Sequence, residues 1–273
     1  MPSGFTNFIK WDGNEWKPIY PYITSSGIVG IWAVDTSLIY FASGSILKYQ
    51  NGDFGYIIIP GNWQNGQRIE KLWGSSQCNI YGVGPWGTIV YYNGVRWNKI
   101  DFDTQWYFYD ITGNPGTGVA YAIALNSSSD CIVVKLENSV ASIFYQQSTS
   151  EIKIYSVTLT ELNNFIYTPT DRRNAICRIS EKTGNVEQIY HINDTFGIQQ
   201  SSAVSNNDIY YVGPNYSGIG VWILHFNGIS YKKIDIPSLD TDNLGSMHAI
   251  KDLAVSVGFA NNKAYLIKIK RDL

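Results

Sequence analysis

At 273 residues, with a net charge of −2 and a pI near 5.9, the chain lacks the basic surplus by which nucleic-acid binders displace counterions from phosphates, so no nucleic-acid partner is expected. Aromatics make up 15%, with 20 Tyr and 9 Trp beside 25 Gly, a composition suited to pleated strands joined by tight turns. No stretch sustains an apolar period of about 3.6 residues and no apolar run reaches about 18, which argues against long helices and against a membrane span.

The first recognisable unit is a hairpin, Phe8-Ile9-Lys10-Trp11, Asp12-Gly13, then Trp16 and Ile19. A repeat follows, in which an apolar pair and a Tyr-bearing strand lead into an alternating strand, then Asn-Gly, then an aromatic residue. Its first copy holds Ile31-Trp32, Ile39-Tyr40, Ile46 to Tyr49 and Asn51-Gly52. The clearest runs from Leu72-Trp73-Gly74 through Ile80-Tyr81-Gly82-Val83-Gly84 and Thr88 to Tyr92, to Asn93-Gly94, Trp97 and Ile100. Weaker copies centre on Tyr121 and Tyr167, with Asn138-Ser139 and Gly184-Asn185 at the hairpin position. A further sharp copy holds Ile209 to Gly213, Trp222 to Phe226, Asn227-Gly228 and Tyr231. The last segments are a strand pair over Met247 to Gly258 and one strand, Tyr265 to Ile269.

The strand tyrosines Tyr40, Tyr81, Tyr121, Tyr167 and Tyr210, with Val255 in the matching place, are spaced 41, 40, 46, 43 and 45 residues apart. That is the length of a four-stranded propeller blade. The expected fold is therefore all-β: a six-bladed β-propeller of four-stranded antiparallel blades, one domain over residues 1–273. Asn-Gly and Asp-Gly predict type I′ hairpins, which need two positive φ angles. Strands from both termini are expected to close the last blade, removing edges that would template aggregation. In that blade Tyr265–Ile269 takes the third place and the N-terminus the outermost, with a truncated seventh blade as the alternative.

The run LWGSSQCNIYGVGPWGTIVYYNGVRWNKI resembles the bacterial propeller repeat of the IWGSS…DVYAVG…GTILHYDG…W type, found in secreted or surface-attached proteins. The resemblance is sharpest around Trp32, Trp73 and Tyr210, and it implies a propeller at a cell surface or outside the cell. The N-terminus shows no signal-peptide pattern, which leaves a cytoplasmic location as the other expectation.

Parity along an up-and-down blade puts the Asn-Gly hairpins on one face and the longer, variable loops on the other. Function concentrates on variable loops carried by a rigid scaffold. The candidate ligand-binding residues are Trp63, Trp86, Trp106, Tyr107, Arg68, Asp171, Arg172, Arg173 and Tyr216: aromatic faces beside hydrogen-bonding groups, suited to sugar rings or peptide side chains. Trp11, Trp16, Trp32, Trp73, Trp97 and Trp222 fall on strands and read as blade packing.

No reaction is named by the remaining residues. The chain has six Arg, and their positions do not provide the triad with which a sialidase grips a carboxylate. Among the loop acids Asp103, Asp171, Asp194, Asp240 and Asp242 no spacing singles out a pair for glycoside hydrolysis. His191, His225 and His248 lack metal-ligand spacing, and Asp240-Thr241-Asp242-Asn243 lacks the Gly and the distant Glu of a calcium loop. Cys78, Cys131 and Cys177 read as free thiols, with one disulfide and a spare thiol as the other reading. The expectation is a non-catalytic, monomeric binding propeller without metal or cofactor, whose partner is a carbohydrate or a protein. A glycan-processing enzyme with acidic residues at the channel mouth is the alternative.

Overall fold

A computed structural model of the chain describes residues 8–19, 27–128, 130–146, 160–162, 165–170, 175–191, 197–205, 207–214, 221–234, 236, 243–251, 253–260 and 263–270. Every regular element among them is a β-strand. The first two, β1 (Phe8–Trp11) and β2 (Trp16–Ile19), pair as a hairpin. Blade one is β3 (Gly30–Ala33), β4 (Leu38–Ala42), β5 (Ile46–Gln50) and β6 (Asp53–Ile57). Blade two is β7 (Lys71–Ser76), β8 (Asn79–Gly84), β9 (Thr88–Tyr92) and β10 (Trp97–Lys99). Blade three is β11 (Tyr107–Asn114), β12 (Val119–Leu125), β13 (Cys131–Glu137) and β14 (Val140–Gln146). Blade four is β15 (Thr160–Leu162), β16 (Phe165–Thr170), β17 (Ala175–Ser180) and β18 (Val186–His191). Blade five is β19 (Gln200–Ser205), β20 (Asp208–Pro214), β21 (Val221–Phe226) and β22 (Tyr231–Ile234). The sixth sheet is β23 (Asn243–Ile250), β24 (Leu253–Ala260) and β25 (Lys263–Lys270), with β25 third, where Tyr265–Ile269 was expected. The fold is a six-bladed β-propeller of antiparallel blades, five of them four-stranded; among the described residues the sixth shows three strands, and β1 and β2 form a sheet of their own rather than the outermost strand expected beside β25.

The chain divides into two compact units, Met1–Ile111 with Pro115–Ala120 and Leu136–Ala141 in the first and the remainder in the second. In the first unit, period-two alternation gives blade one two apolar faces. Tyr40, Ala42 and Ile46 pack with Ile69, Leu72, Ile80, Val90 and Trp97 of blade two. On the opposite side Phe41, Leu47 and Tyr49 form a second cluster, capped by Phe8 of the N-terminal hairpin. The Phe8 ring meets Phe41 edge-on at 4.9 Å. In the second unit, Tyr167 and Ile176 pack with Ile209, Tyr211 and Leu224 between blades four and five. Tyr210, Val212 and Ile223 pack with Met247, Ala249 and Ala254 between blades five and six.

The repeat tyrosines Tyr40, Tyr81, Tyr121, Tyr167 and Tyr210 are all buried. Two of them latch onto the next blade's outer hairpin: the Ser139 amide donates to the Tyr81 hydroxyl at 3.4 Å, and Tyr121 donates to Glu181 Oε2 at 3.0 Å. The glycine three residues beyond the tyrosine also has a structural reason. A Cβ on Gly84 would lie 2.0 Å from the Arg68 carbonyl oxygen, and one on Gly213 would lie 1.8 Å from that of Gly197. Backbone crosses backbone at these points, leaving room only for hydrogen.

Two expectations need correction. Type I′ geometry holds at Asn51-Gly52, with φ of 53° and 104°, and at Asn138-Ser139, with 51° and 62°. At Asp12, Asn93 and Asn227 only the following glycine has positive φ, and the loop has four residues. There the side chain closes the turn: Asn93 Oδ1 accepts from the Val95 and Arg96 amides at 3.0 Å each, and Asn227 Oδ1 from Ile229 and Ser230 at 3.0 and 2.8 Å. An aromatic residue four positions after the Asn marks this Asx-closed loop. Phe54, three positions after Asn51, marks the two-residue turn. Trp97 is buried as expected, and Trp32 and Trp222 pack half-buried on their seams. Trp11 and Trp16, by contrast, remain 40% and 45% exposed, because they face each other across the hairpin at 5.0 Å. Cys78, Cys131 and Cys177 are all free thiols.

Candidate functional site

The described loops on the variable face converge at blade two. Residues 60–68 arrive from blade one, residues 85–87 join β8 to β9, and residues 101–106 lead into blade three. They enclose a cleft of about 390 Å³, lined by Gln64, Gln67, Trp86, Lys99, Asp101 and Asp103 together with 102–105. That volume falls in the range of about 300–1,000 Å³ usual for small-ligand sites.

Trp86 is held at the wall by an unusual backbone. Its φ is +58°, and Gly87 follows at +67°. Gly87 cannot carry a side chain, since a Cβ there would meet the Thr104 carbonyl oxygen at 2.1 Å. Its amide donates to the Trp106 carbonyl at 3.0 Å, and Thr88 Oγ1 donates to the Pro85 carbonyl at 2.6 Å. Gln67 Nε2 donates to the Trp86 carbonyl at 2.9 Å, fixing the turn from the other side. The pyrrole edge of the indole lies against Gly66, where a Cβ would approach Nε1 to 2.6 Å. The residue is 48% exposed.

Lys99, the last residue of β10, ties two of the loops together. Its Nζ donates to the Asn62 carbonyl at 2.8 Å and to Gln67 Oε1 at 2.9 Å, and it lies 5.8 Å from the centre of the Trp63 ring. Trp63 in turn donates from Nε1 to the Ile59 carbonyl at 3.1 Å, and is 37% exposed behind the lysine. The positive charge is thus turned into the loop framework. Asp101 and Asp103 remain exposed at the cleft, and among the described residues no ion pair joins either to a cation.

Of the other expected residues, Trp106 contributes backbone: its amide takes Thr104 Oγ1 as acceptor at 3.2 Å, and the residue is half-buried. Arg68 and Tyr107 meet at a separate group centred on Glu70. Arg68 Nε donates to Glu70 Oε1 at 2.6 Å, and the Tyr107 hydroxyl donates to Glu70 Oε2. Burial, followed by that carboxylate, pushes the Tyr107 phenol up to about 12. Tyr107 also stacks on Tyr109 at 4.4 Å. Asp171, Arg172, Arg173 and Tyr216 lie outside the described residues, as do the acids Asp171, Asp194, Asp240 and Asp242. Gln67 and Lys99 stand at the cleft without having been among the expected residues. The available signal was parity: Lys99 ends a strand pointing at the variable face, so its side chain can reach the loops there.

His225 belongs to the framework of blade five, where Nε2 is 2.7 Å from the buried Asp208 and the ring stacks on Tyr210 at 4.3 Å. Among the described residues no three His, Cys, Asp or Glu side chains group as a metal site, and no helix is long and apolar enough to cross a membrane.

No protein-family model matches the chain, and no curated protein sequence matches it. Among solved structures the chain is similar to YCF48 bound to D1 peptide, at 12% identity and a TM-score of 0.71, covering 95% of this chain and 84% of that one. It is also similar to the extracellular domain of BT4673 from B. thetaiotaomicron, at 13% identity and a TM-score of 0.65, covering 94% of this chain and 35% of that one. A chain of the nidogen/laminin complex aligns at 15% identity and a TM-score of 0.60, covering 87% and 89%. At these identities the likeness shows the fold alone, and that fold is the β-propeller.

Proposed function

We propose that the chain is a non-catalytic binding propeller whose variable face holds a carbohydrate or protein partner, with residues 1–273 acting as one domain. The observation that carries this reading is Trp86: a large aromatic residue kept half-exposed at a cleft by a backbone conformation that L-residues avoid. Strain of this kind clusters at ligand sites because surrounding structure must be arranged to hold it. The fold neighbours accord with it, since YCF48 is bound to a peptide and nidogen stands in a complex with laminin. A surface or secreted location belongs to the same reading. Its support is the resemblance of the repeat to that of surface-attached bacterial proteins, and the similarity to an extracellular domain.

The test compares two faces of blade two. A partner found by glycan array or by interaction screening is titrated against the parent chain, Trp86→Ala and Val95→Asp. Val95 is 85% exposed on the opposite, hairpin face. Loss of binding in Trp86→Ala with retention in Val95→Asp is expected. The reverse pattern contradicts the proposal, and release of chromophore from aryl glycosides by the purified chain replaces it with an enzymatic reading.

A further inference from the structure

We infer that the blade-two cleft takes a neutral pyranose ring, stacked on the exposed indole of Trp86 and hydrogen-bonded through its hydroxyls to Asp101, Asp103 and the nearby glutamine amides. This rests on the binding reading above and commits it to one ligand class. Charge, hydrogen-bonding chemistry and shape each support it.

Lys99 lines the cleft but turns its charge away from it. Its ammonium already donates to the Asn62 carbonyl and the Gln67 side chain, so it faces the loop framework rather than an incoming anion. The cleft is lined by that one cation and by the carboxylates of Asp101 and Asp103, one positive charge against two negative ones, and the exposed carboxylates are the charges left without a partner ion among the described residues. Sialylated, sulfated or uronate sugars and acidic peptides bring like charge there, and juxtaposed like charges at an interface are strongly unfavourable.

Hydrogen-bonding chemistry narrows the choice further. Two carboxylates offer acceptors only, while Gln64 and Gln105, both exposed on the cleft, offer a donor and an acceptor each. An acceptor-rich wall with a few adaptable amides complements hydroxyl groups, which can donate to the carboxylates and accept from the amides at once. An ammonium or guanidinium group would satisfy the carboxylates too. Tight recognition of such cations through aromatic faces relies on cages of several exposed rings, whereas the aromatic residues lining this cleft are the exposed Trp86 and the half-buried Phe102.

The shape of the wall also suits a pyranose. The indole is anchored along its pyrrole edge at Gly66 and by the strained Trp86-Gly87 turn, so it presents a fixed flat surface that loses little entropy on binding. The C–H face of a pyranose is flat, apolar and of similar extent. The hydroxyls at its rim then fall toward the polar residues of 101–105.

The experiment uses the full chain on an array bearing neutral, sialylated, sulfated and uronate glycans, followed by titration of tryptophan fluorescence with the methyl glycoside of the best terminal sugar. Neutral glycans are expected to bind. Trp86→Gly, which fits the left-handed backbone, is expected to weaken the titrated affinity by about tenfold or more, and Trp86→Phe by about threefold. Asp103→Asn is expected to weaken neutral-glycan binding as well. Trp86-dependent binding confined to an anionic glycan or to a peptide overturns the ligand class and leaves the binding site standing. Binding of any partner that is indifferent to Trp86→Gly overturns both.

Discussion

Trp86 shows how a single residue can hold stability and recognition in opposition. A left-handed φ costs an L-residue about 1–2 kcal/mol relative to its preferred regions, while glycine adopts it freely. Trp86→Gly and Trp86→Ala remove the same indole packing, so their difference reports the left-handed cost that alanine bears less the extra conformational entropy that glycine loses on folding. The glycine variant should be the more stable by about 1 kcal/mol, read from denaturant midpoints. A glycine variant less stable than the alanine one would show that the turn is not strained. The buried phenols give a second single-residue effect. Burial pushes Tyr40, Tyr81 and Tyr107 up to about 12 from the ordinary value near 10. Below pH 10 these groups are neutral in folded and unfolded chains alike and do not change stability with pH. Between pH 10 and 12 the unfolded chain releases protons that the folded one keeps, so stability falls as pH rises through that window. Phenolate absorbance followed beside circular dichroism checks this. Ionisation of these residues near pH 10 with the fold intact would contradict it.

Among strands and turns, the governing feature is where backbone passes close to backbone. Gly84 ends β8 against the Arg68 carbonyl, whereas Gly55 in β6 has no neighbouring atom within 4 Å of an added Cβ. Gly84→Ala should therefore cost about 1–3 kcal/mol through overpacking, and Gly55→Ala should be neutral or slightly stabilising. Thermal or urea unfolding separates the two, and similar effects at both sites would remove the account of the repeat glycine. Much at this level could be read from the amino acids. Alternation and the recurring Asn-Gly located the outer hairpins, and the tyrosine spacing located the blades. The type of turn was harder to read, because Asn51-Gly52 and Asn93-Gly94 share a dipeptide and differ only in whether the aromatic residue follows at three or four positions. The binding cleft was legible only in part. Trp86 stood out as a loop aromatic, but the grouping of Lys99 with Gln67 depends on how three sequence-distant loops meet. Arg68 and Tyr107 were drawn instead to Glu70, a partner that no local pattern marks.

At the scale of the whole chain, the seams between blades one and two, four and five, and five and six resemble one another, each a layer of apolar side chains shared between successive sheets. Nearest-neighbour stacking of this kind makes the cooperativity of unfolding informative. If residues 1–273 act as one domain, calorimetry should give a single transition whose measured enthalpy equals the van't Hoff value. Two resolved transitions would divide the chain into independently melting parts. The outer hairpins are closed by short turns of two or four residues, and the opposite ends of the strands carry the longer loops, so recognition should be confined to the latter. Side-chain indole resonances test that directly, since the nine tryptophans are distributed over hairpin, seam and loop positions. On addition of the bound partner, the Trp86 signal should move most and Trp63 should follow, while Trp11, Trp16, Trp97 and Trp222 stay in place. Shifts confined to Trp11 and Trp16, or an unmoved Trp86 under saturation, would contradict it.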